Sequence, residues 1–337
     1  MVVAADVDTI IGTPRTAIGV LPLAPPCLAR SNRVMNGKDM TVTSMDEGTR
    51  LVPRPMMSEI DTFGLTDRGR VRPTNNDHFL IASFHRKLRV HYTSIPEGIG
   101  DVETESRGFL FLVADGVGGL SSAGDGSALA LSTLAQHLLH ATEICSELVL
   151  TQQEKSSDEL RDAVMQAHAA LVAMQKESGG KPATTLTMYA AFWPRAFIVH
   201  VGDSRMYRYR DGVLTRFTSD QTYEQLMLES GAIKPGSPEA ARLKHVLWSA
   251  VGNDEVVPQI VYTDLTRRDV TLVCSDGLTK HVSDDEIRDR LARDESSEES
   301  VRALVGLALE RGGTDNVTAI VGKIRAKNTP ASVDAVR

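Results

Sequence analysis

Four short segments of the 337-residue chain carry carboxylates in settings that could gather metal ions: Arg72-Pro-Thr-Asn-Asn-Asp77, Asp115-Gly-Val-Gly-Gly119, Ser275-Asp-Gly277 and Gly313-Thr-Asp-Asn316. Asp115 follows Val113-Ala114 and Asp276 follows Val270-Thr-Leu-Val-Cys274-Ser275, so these two acids stand at or near the ends of apolar runs that read as strands. A carboxylate desolvated in such a place is costly unless it is paired, or it shifts its pKa until it is neutral. Several of them together therefore imply cations. The candidate ligands are oxygens, with no Cys-x-x-Cys and no His-x-x-x-His spacing, which suits Mg²⁺ or Mn²⁺ and tells against structural zinc. Glycine after Asp115 and Asp276 lets the backbone bend and approach closely, so that the Gly116 carbonyl can also face a metal. Taken singly, each Asp-Gly is equally a tight turn between strands. Turns alone are a poor account of all four segments with their particular neighbours.

Further segments fall in order around these four. Asp67-x-Gly69-x-x-Arg72-x-x-Asn75-Asn76-Asp77 and Val113-Ala-Asp-Gly-Val-Gly-Gly119 are followed by Ala183-Thr-Thr-Leu186, His200-Val-Gly-Asp-Ser-Arg205, Ser219-Asp220-Gln221, Val273-Cys-Ser-Asp-Gly-Leu278 and Gly312-Gly-Thr-Asp-Asn-Val317. From about Asp61 to about Val321 this series resembles the metal-dependent protein serine/threonine phosphatases of type 2C, in their compact bacterial form. The resemblance implies an α+β fold in which two antiparallel β-sheets form a central sandwich flanked by helix pairs. It implies two Mn²⁺ or Mg²⁺ ions, with Asp115 bridging both, the Gly116 carbonyl on one, Asp276 and Asp315 on the other, and Asp77 acting on the metal shell directly or through water. Two such ions can activate a water at neutral pH for in-line attack on phosphorus. Arg72 is the candidate phosphate clamp, because a guanidinium offers a planar fork to two phosphate oxygens.

Departures from the family pattern are as informative. Asn76 stands where Glu or Gln is more usual, which removes one water-mediated metal contact. Val117 stands where eukaryotic members have a His proposed as general acid, so a water would have to protonate the leaving alkoxide. Ala183 replaces a Gly, Gln221 replaces the His of an Asp-His pair, and Glu177-Ser-Gly-Gly-Lys-Pro182 lacks an Asp that would anchor a third metal, which tells against a third ion. Asp203-Ser-Arg205 reads as structural, with Asp203 and Ser204 holding a turn and Arg205 beginning a strand. Thr184 and Thr185 read as packing positions, since no His-based activating group can be assigned to them. Cys274, in an apolar run, reads as a buried, inert thiol.

The elements that must position these residues are legible as periodicity. Residues 109–113, 186–192, 196–201 and 317–324 are strand candidates. Helical spacing at Leu131, Leu134, Ala135 and Leu138, and again at Leu160, Val164, Ala167, Leu171 and Met174, predicts two helices before the Thr184-Thr185 strand. Ser156-x-x-Glu159, Ser283-x-x-Glu286 and Ser296-x-x-Glu299 predict helix starts by reciprocal capping, the last opening a helix with apolar face Val301, Leu304, Val305 and Leu309. Residues 222–251, with Gly231 and Pro235-Gly-Ser-Pro238, resemble the mobile flap beside the family's active site, where substrate choice and gating reside.

The expected organisation is a disordered N-terminal extension over 1–58, a catalytic domain over 59–326 and a tail over 327–337. A net charge of −7 and a short basic patch, His85-Arg-Lys-Leu-Arg89, disfavour nucleic acid as a partner. Three scattered cysteines fit a reducing cytoplasm, and no apolar run reaches the roughly 20 residues of a membrane span. Prolines in the apolar stretch 18–29, and the want of a basic leader before it, tell against a signal peptide. The expected partners are phosphorylated proteins and a serine/threonine kinase whose action is reversed. A non-catalytic scaffold of the same fold and a two-metal hydrolase of small phosphoesters are the competing readings.

Overall fold

Alternate residues of the segment 77–84 bury in opposite directions. Phe79 and Ile81 join one apolar cluster with Phe109, Phe111, Val273 and Ile320, while Leu80, Ala82 and Phe84 join another with Leu131, Leu134, Leu160 and Val164. A strand apolar on both faces requires a sheet covered on both sides. The computed structural model describes residues 55–85, 87–94, 106–117, 122–151 and 153–325. The expected extension, up to residue 54, and the tail from 327 lie outside the described residues, as do the side chains of the basic patch.

In chain order the elements are β1 (Ile60–Asp67), β2 (Asp77–His85), β3 (Lys87–Thr93), β4 (Ser106–Val117), α1 (Ser122–Thr151) and α2 (Gln153–Ser178). Then come β5 (Ala183–Thr184), β6 (Leu186–Phe192), β7 (Arg195–Val201), β8 (Arg205–Arg210), β9 (Val213–Arg216), α3 (Tyr223–Glu229) and α4 (Pro238–Leu243). The last part holds β10 (Gln259–Asp264), β11 (Val270–Cys274), α5 (Asp276–Thr279), α6 (Asp284–Leu291), α7 (Ser297–Glu310) and β12 (Val317–Ile324). One sheet runs β1-β12-β11-β8-β9 and the other β10-β7-β6-β4-β2-β3, with β5 paired to the end of β4; every pairing is antiparallel.

The sheets pack face to face through Phe79, Ile81, Phe111, Val113, Met206, Val273 and Ile320. Helices α1 and α2 cover the outer face of the second sheet, and α6 and α7 cover that of the first through Ile287, Leu291, Val301, Leu304 and Val305. The expected α+β sandwich with flanking helix pairs is therefore the observed fold. Leu112, wholly buried between β4 and the helix pair, illustrates the stabilisation: its truncation to Ala costs about 2–5 kcal/mol through lost transfer energy and a cavity.

Two capping boxes form as read, with the Ser283 and Ser296 hydroxyls accepting from the Glu286 and Glu299 amides. The third does not. Helix α2 begins at Gln153, so Ser156 lies inside its first turns, where good helix formers Gln153, Glu154 and Lys155 have already started the helix. The segment from His200 onward spans both sheets. Residues 202–204 carry the chain from β7 in one sheet to β8 in the other, and the hairpin proper is β8–β9, closed by Asp211 and Gly212 at φ 51° and 88°.

Candidate active site

Asp77 opens β2 and Asp115 lies near the end of β4, and the antiparallel register sets the two directly opposite each other. Like charges in that position repel. Asp77 Oδ2 accepts from the Thr318 hydroxyl at 2.7 Å, while Asp77 Oδ1 is buried without a hydrogen-bond partner. Burial, reinforced by the Asp276 and Asp315 carboxylates, raises Asp77 to about 6 against the lowering effect of its hydroxyl partners Thr318 and Ser275. Burial and then Asp77, Asp276, Asp203 and Asp315 push Asp115 well above the usual carboxylate range. The backbone of Asp115 is held by threonines: its N–H donates to Thr185 Oγ1 at 3.0 Å, and its carbonyl accepts from Thr184 Oγ1 and the Thr185 amide, each at 2.9 Å.

Asp276 is the first residue of α5, directly after β11, and Asp315 lies in the loop before β12. Asp276 Oδ2 meets Lys280 Nζ at 2.6 Å and lies 3.7 Å from His245 Nδ1, while Asp276 Oδ1 is buried and unpartnered. Asp315 receives a bidentate Arg72 guanidinium at 2.7 and 2.8 Å, and Lys280 Nζ at 2.7 Å. Burial alone raises both acids; for Asp276, His245 and Lys280 outweigh it, and for Asp315, Arg72 and Lys280 do, so each is held below the ordinary value. Close backbone approach builds this corner. A Cβ on Gly277 would collide with the Asn316 carbonyl, and one on Gly69, at φ 79°, with the Asp315 carbonyl. The Asn316 side chain ties the opening motif down, accepting from the Asn76 amide at 2.9 Å and donating to the Arg68 and Thr74 carbonyls at 2.8 Å.

The structure thus brings Asp77, Asp115, Asp276 and Asp315 together. It adds Asp203, whose carboxyl burial pushes up with help from Asp276. Asp203, His245 and Asp276 can each present a ligand atom within 4.8 Å of the others. Buried like charges, an oxygen-dominated donor set and two orphaned carboxylate oxygens fit divalent cations, which would satisfy all three at once.

Residues 100–318 match the sequence profile of the family described as protein phosphatase 2C. The chain belongs to that family. It is 34% identical over 221 residues to the serine/threonine protein phosphatase PstP of Mycobacterium tuberculosis, a match covering 64% of this chain and 40% of PstP. It is 34% identical over 136 residues to the protein phosphatase PhpP of Streptococcus pneumoniae, covering 40% of this chain and 55% of PhpP. The matches thus span about half the length of these curated relatives. Among solved structures it resembles the PstP catalytic domain in complex with two manganese ions, with a TM-score of 0.59 and 30% identity over 79% of this chain and 99% of that one.

Within this family member, Thr184 and Thr185 are fully buried supports of Asp115, in keeping with their reading as packing positions. Cys274 is likewise buried, its thiol pushed up to about 12 by burial. Gln221 bridges the Gly202 amide at 3.0 Å and the Val257 carbonyl at 2.9 Å. Arg205 begins β8 as expected and forms a bidentate pair with Asp220 at 2.9 and 2.6 Å. Asp203 departs from its reading as a turn residue, because the sheet-to-sheet crossing at 202–204 buries its carboxylate beside Asp276. The segment 222–251 carries α3 and α4 and is pinned at its base by the bridges Thr222–Leu247 and Thr184–Val251. His245 and Lys280 were not singled out from the sequence. The i,i+4 spacing of Asp276 and Lys280 is the signal that could have found the second.

Proposed function

We propose that this chain is a metal-dependent phosphatase that hydrolyses phosphoserine and phosphothreonine in proteins, reversing a serine/threonine kinase in the cytoplasm. The observation that carries the reading is the convergence of four carboxylates from β2, β4, α5 and the β12 loop, with Asp77 Oδ1 and Asp276 Oδ1 left buried and unpartnered. Asp77, Asp115, the Gly116 carbonyl, Asp276 and Asp315 are the residues that would hold two Mn²⁺ or Mg²⁺ ions. Such ions supply the Lewis acidity that makes a water nucleophilic near neutral pH and offsets charge on the phosphoryl group.

The chain's own residues position and neutralise. Arg72, half-exposed and tied to Asp315, has the freedom to turn its fork toward two phosphate oxygens. Thr184 and Thr185 fix the Asp115 backbone and so position the strand end that carries its carboxylate. A non-catalytic scaffold would have no need of four converging acids. No helix among the described residues is long and apolar enough to cross a membrane.

The test is hydrolysis of p-nitrophenyl phosphate and a phosphothreonine peptide in Mn²⁺, Mg²⁺ or EDTA, with Asp276→Asn as control. Metal-dependent turnover of the peptide that the variant loses is the expected result. Turnover confined to small esters moves the reading to a small-phosphoester hydrolase, and inactivity of folded, metal-loaded protein toward both substrates moves it to a scaffold.

A further inference from the structure

Lys280 lies inside the acid cluster. Its backbone amide donates to the Asp276 carbonyl at 2.8 Å, at the end of the short turn α5, and its side chain folds back so that Nζ meets Asp276 Oδ2 at 2.6 Å and Asp315 Oδ2 at 2.7 Å. Only 18% of that side chain is exposed. The ammonium thus bridges two of the carboxylates assigned to metal ions.

Asp315 is saturated as a result. Oδ1 accepts from Arg72 Nε at 2.7 Å and the Asn316 amide at 3.0 Å; Oδ2 accepts from Arg72 Nη2 at 2.8 Å and Lys280 Nζ at 2.7 Å. A carboxylate offers about four acceptor sites, so none is left for an ion until a cation withdraws. Arg72, with 53% of its side chain exposed, can withdraw into water; Lys280 is largely enclosed and tethered within one turn of its partner. Asp276 differs, because its Oδ1 is buried without a partner.

We propose that the Lys280 ammonium is a resident cation of this centre, competing with a divalent ion for Asp315 and the Oδ2 side of Asp276, so that the ion using Asp315 binds weakly and exchangeably. Lys280 is charged throughout the neutral range. A fixed positive charge and a divalent ion at one pair of oxygens repel strongly in a partly desolvated site. The inference rests on the two-metal reading of the cluster and assigns its two ends unequal affinity.

The test is a Mn²⁺ titration of EDTA-treated, desalted protein, reading free Mn²⁺ by electron paramagnetic resonance, for wild type, Lys280→Gln and Lys280→Arg. The weaker class of site should tighten by about tenfold or more in Lys280→Gln and stay near wild type in Lys280→Arg. A folded Lys280→Gln that binds Mn²⁺ no tighter, even if its KM for substrate rises, overturns the proposal and leaves Lys280 a salt-bridge or substrate contact. Mn²⁺ binding to neither protein overturns the two-metal reading and this inference together. Should Lys280→Gln fail to fold, wild type decides: the ¹⁵Nζ ammonium resonance of Lys280 should move as Mg²⁺ saturates the protein, and a resonance unchanged to saturation overturns the competition.

Discussion

The two ends of the acid cluster are built on opposite electrostatic terms. At one end Asp77 and Asp115 face each other across adjacent strands, with no ion pair to either among the described residues, and both are pushed toward protonation. At the other end Asp276 and Asp315 share Lys280, with Arg72 and His245 alongside, and both are held ionised. The same residue type four times over thus gives one end that is frustrated without cations and one that the protein neutralises itself. A low-dielectric site can tolerate the first only if a cation or a proton binds there, whereas at the second the chain's own cations offset the charge and Asp276 Oδ1 alone is left unpartnered.

The sharpest way to break this contrast is to neutralise one acid at each end. Asp115→Asn and Asp276→Asn should each lower phosphatase activity more than about a hundredfold, as loss of a ligand exceeds the loss seen for outer-shell partners. Their effects on the metal-free protein should differ in sign. Asp115→Asn removes a charge from a repelling pair and should raise the melting temperature in EDTA. Asp276→Asn strips Lys280 of a partner in a partly buried site and should destabilise by about 1–3 kcal/mol. Thermal melts in EDTA check this, and a shared sign would collapse the contrast.

Next in size is pH. Asp77 sits at about 6 in the fold, above its ordinary value near 3.8, so between those values the folded protein binds more protons than the unfolded chain. Stability in EDTA is therefore fully present below the lower value and falls as pH rises through about 6. The loss is up to about 3 kcal/mol from Asp77 alone. Asp276 and Asp315 act in the opposite sense, but only below the ordinary carboxylate value, because they are already ionised in both states above it. Denaturant melts at pH 5 and pH 7 should show the decline for wild type in EDTA and a smaller one for Asp77→Asn. Saturating Mn²⁺ should remove it.

The four carboxylates and Arg72 were legible at both ends, and what stayed hidden was Lys280 and His245. Asp77 and Asp115 come with a following or preceding apolar run and, for Asp115, a glycine that betrays close backbone approach, so residue types and local spacing sufficed. The sandwich was readable for the same reason, since alternation in β2 and β4 and 3.6-residue spacing in α1 and α2 each report which face is buried. The missed partners at the neutralised end depend on long-range placement. Lys280 follows a turn too short to show a helical period, and His245 reaches Asp276 only because the segment 222–251 folds back over the cluster's edge. Asp203 looked like a turn residue because nothing local tells a turn within one sheet from a crossing between two.

Arg72 gives the smallest and most selective probe, because it belongs to the neutralised end while being the group assigned to the substrate. Its pair with Asp315 is bidentate but half-exposed, so Arg72→Lys should change stability in EDTA by no more than about 0.5 kcal/mol. The substitution keeps the charge and loses the planar fork, and a fork matters only where two oxygens must be held at once. KM for a phosphothreonine peptide should therefore rise by roughly tenfold with a smaller change in kcat. If the melting temperature drops sharply while KM holds, Arg72 is a structural counter-ion of Asp315, and the neutralised end is built for stability rather than for recognising phosphate.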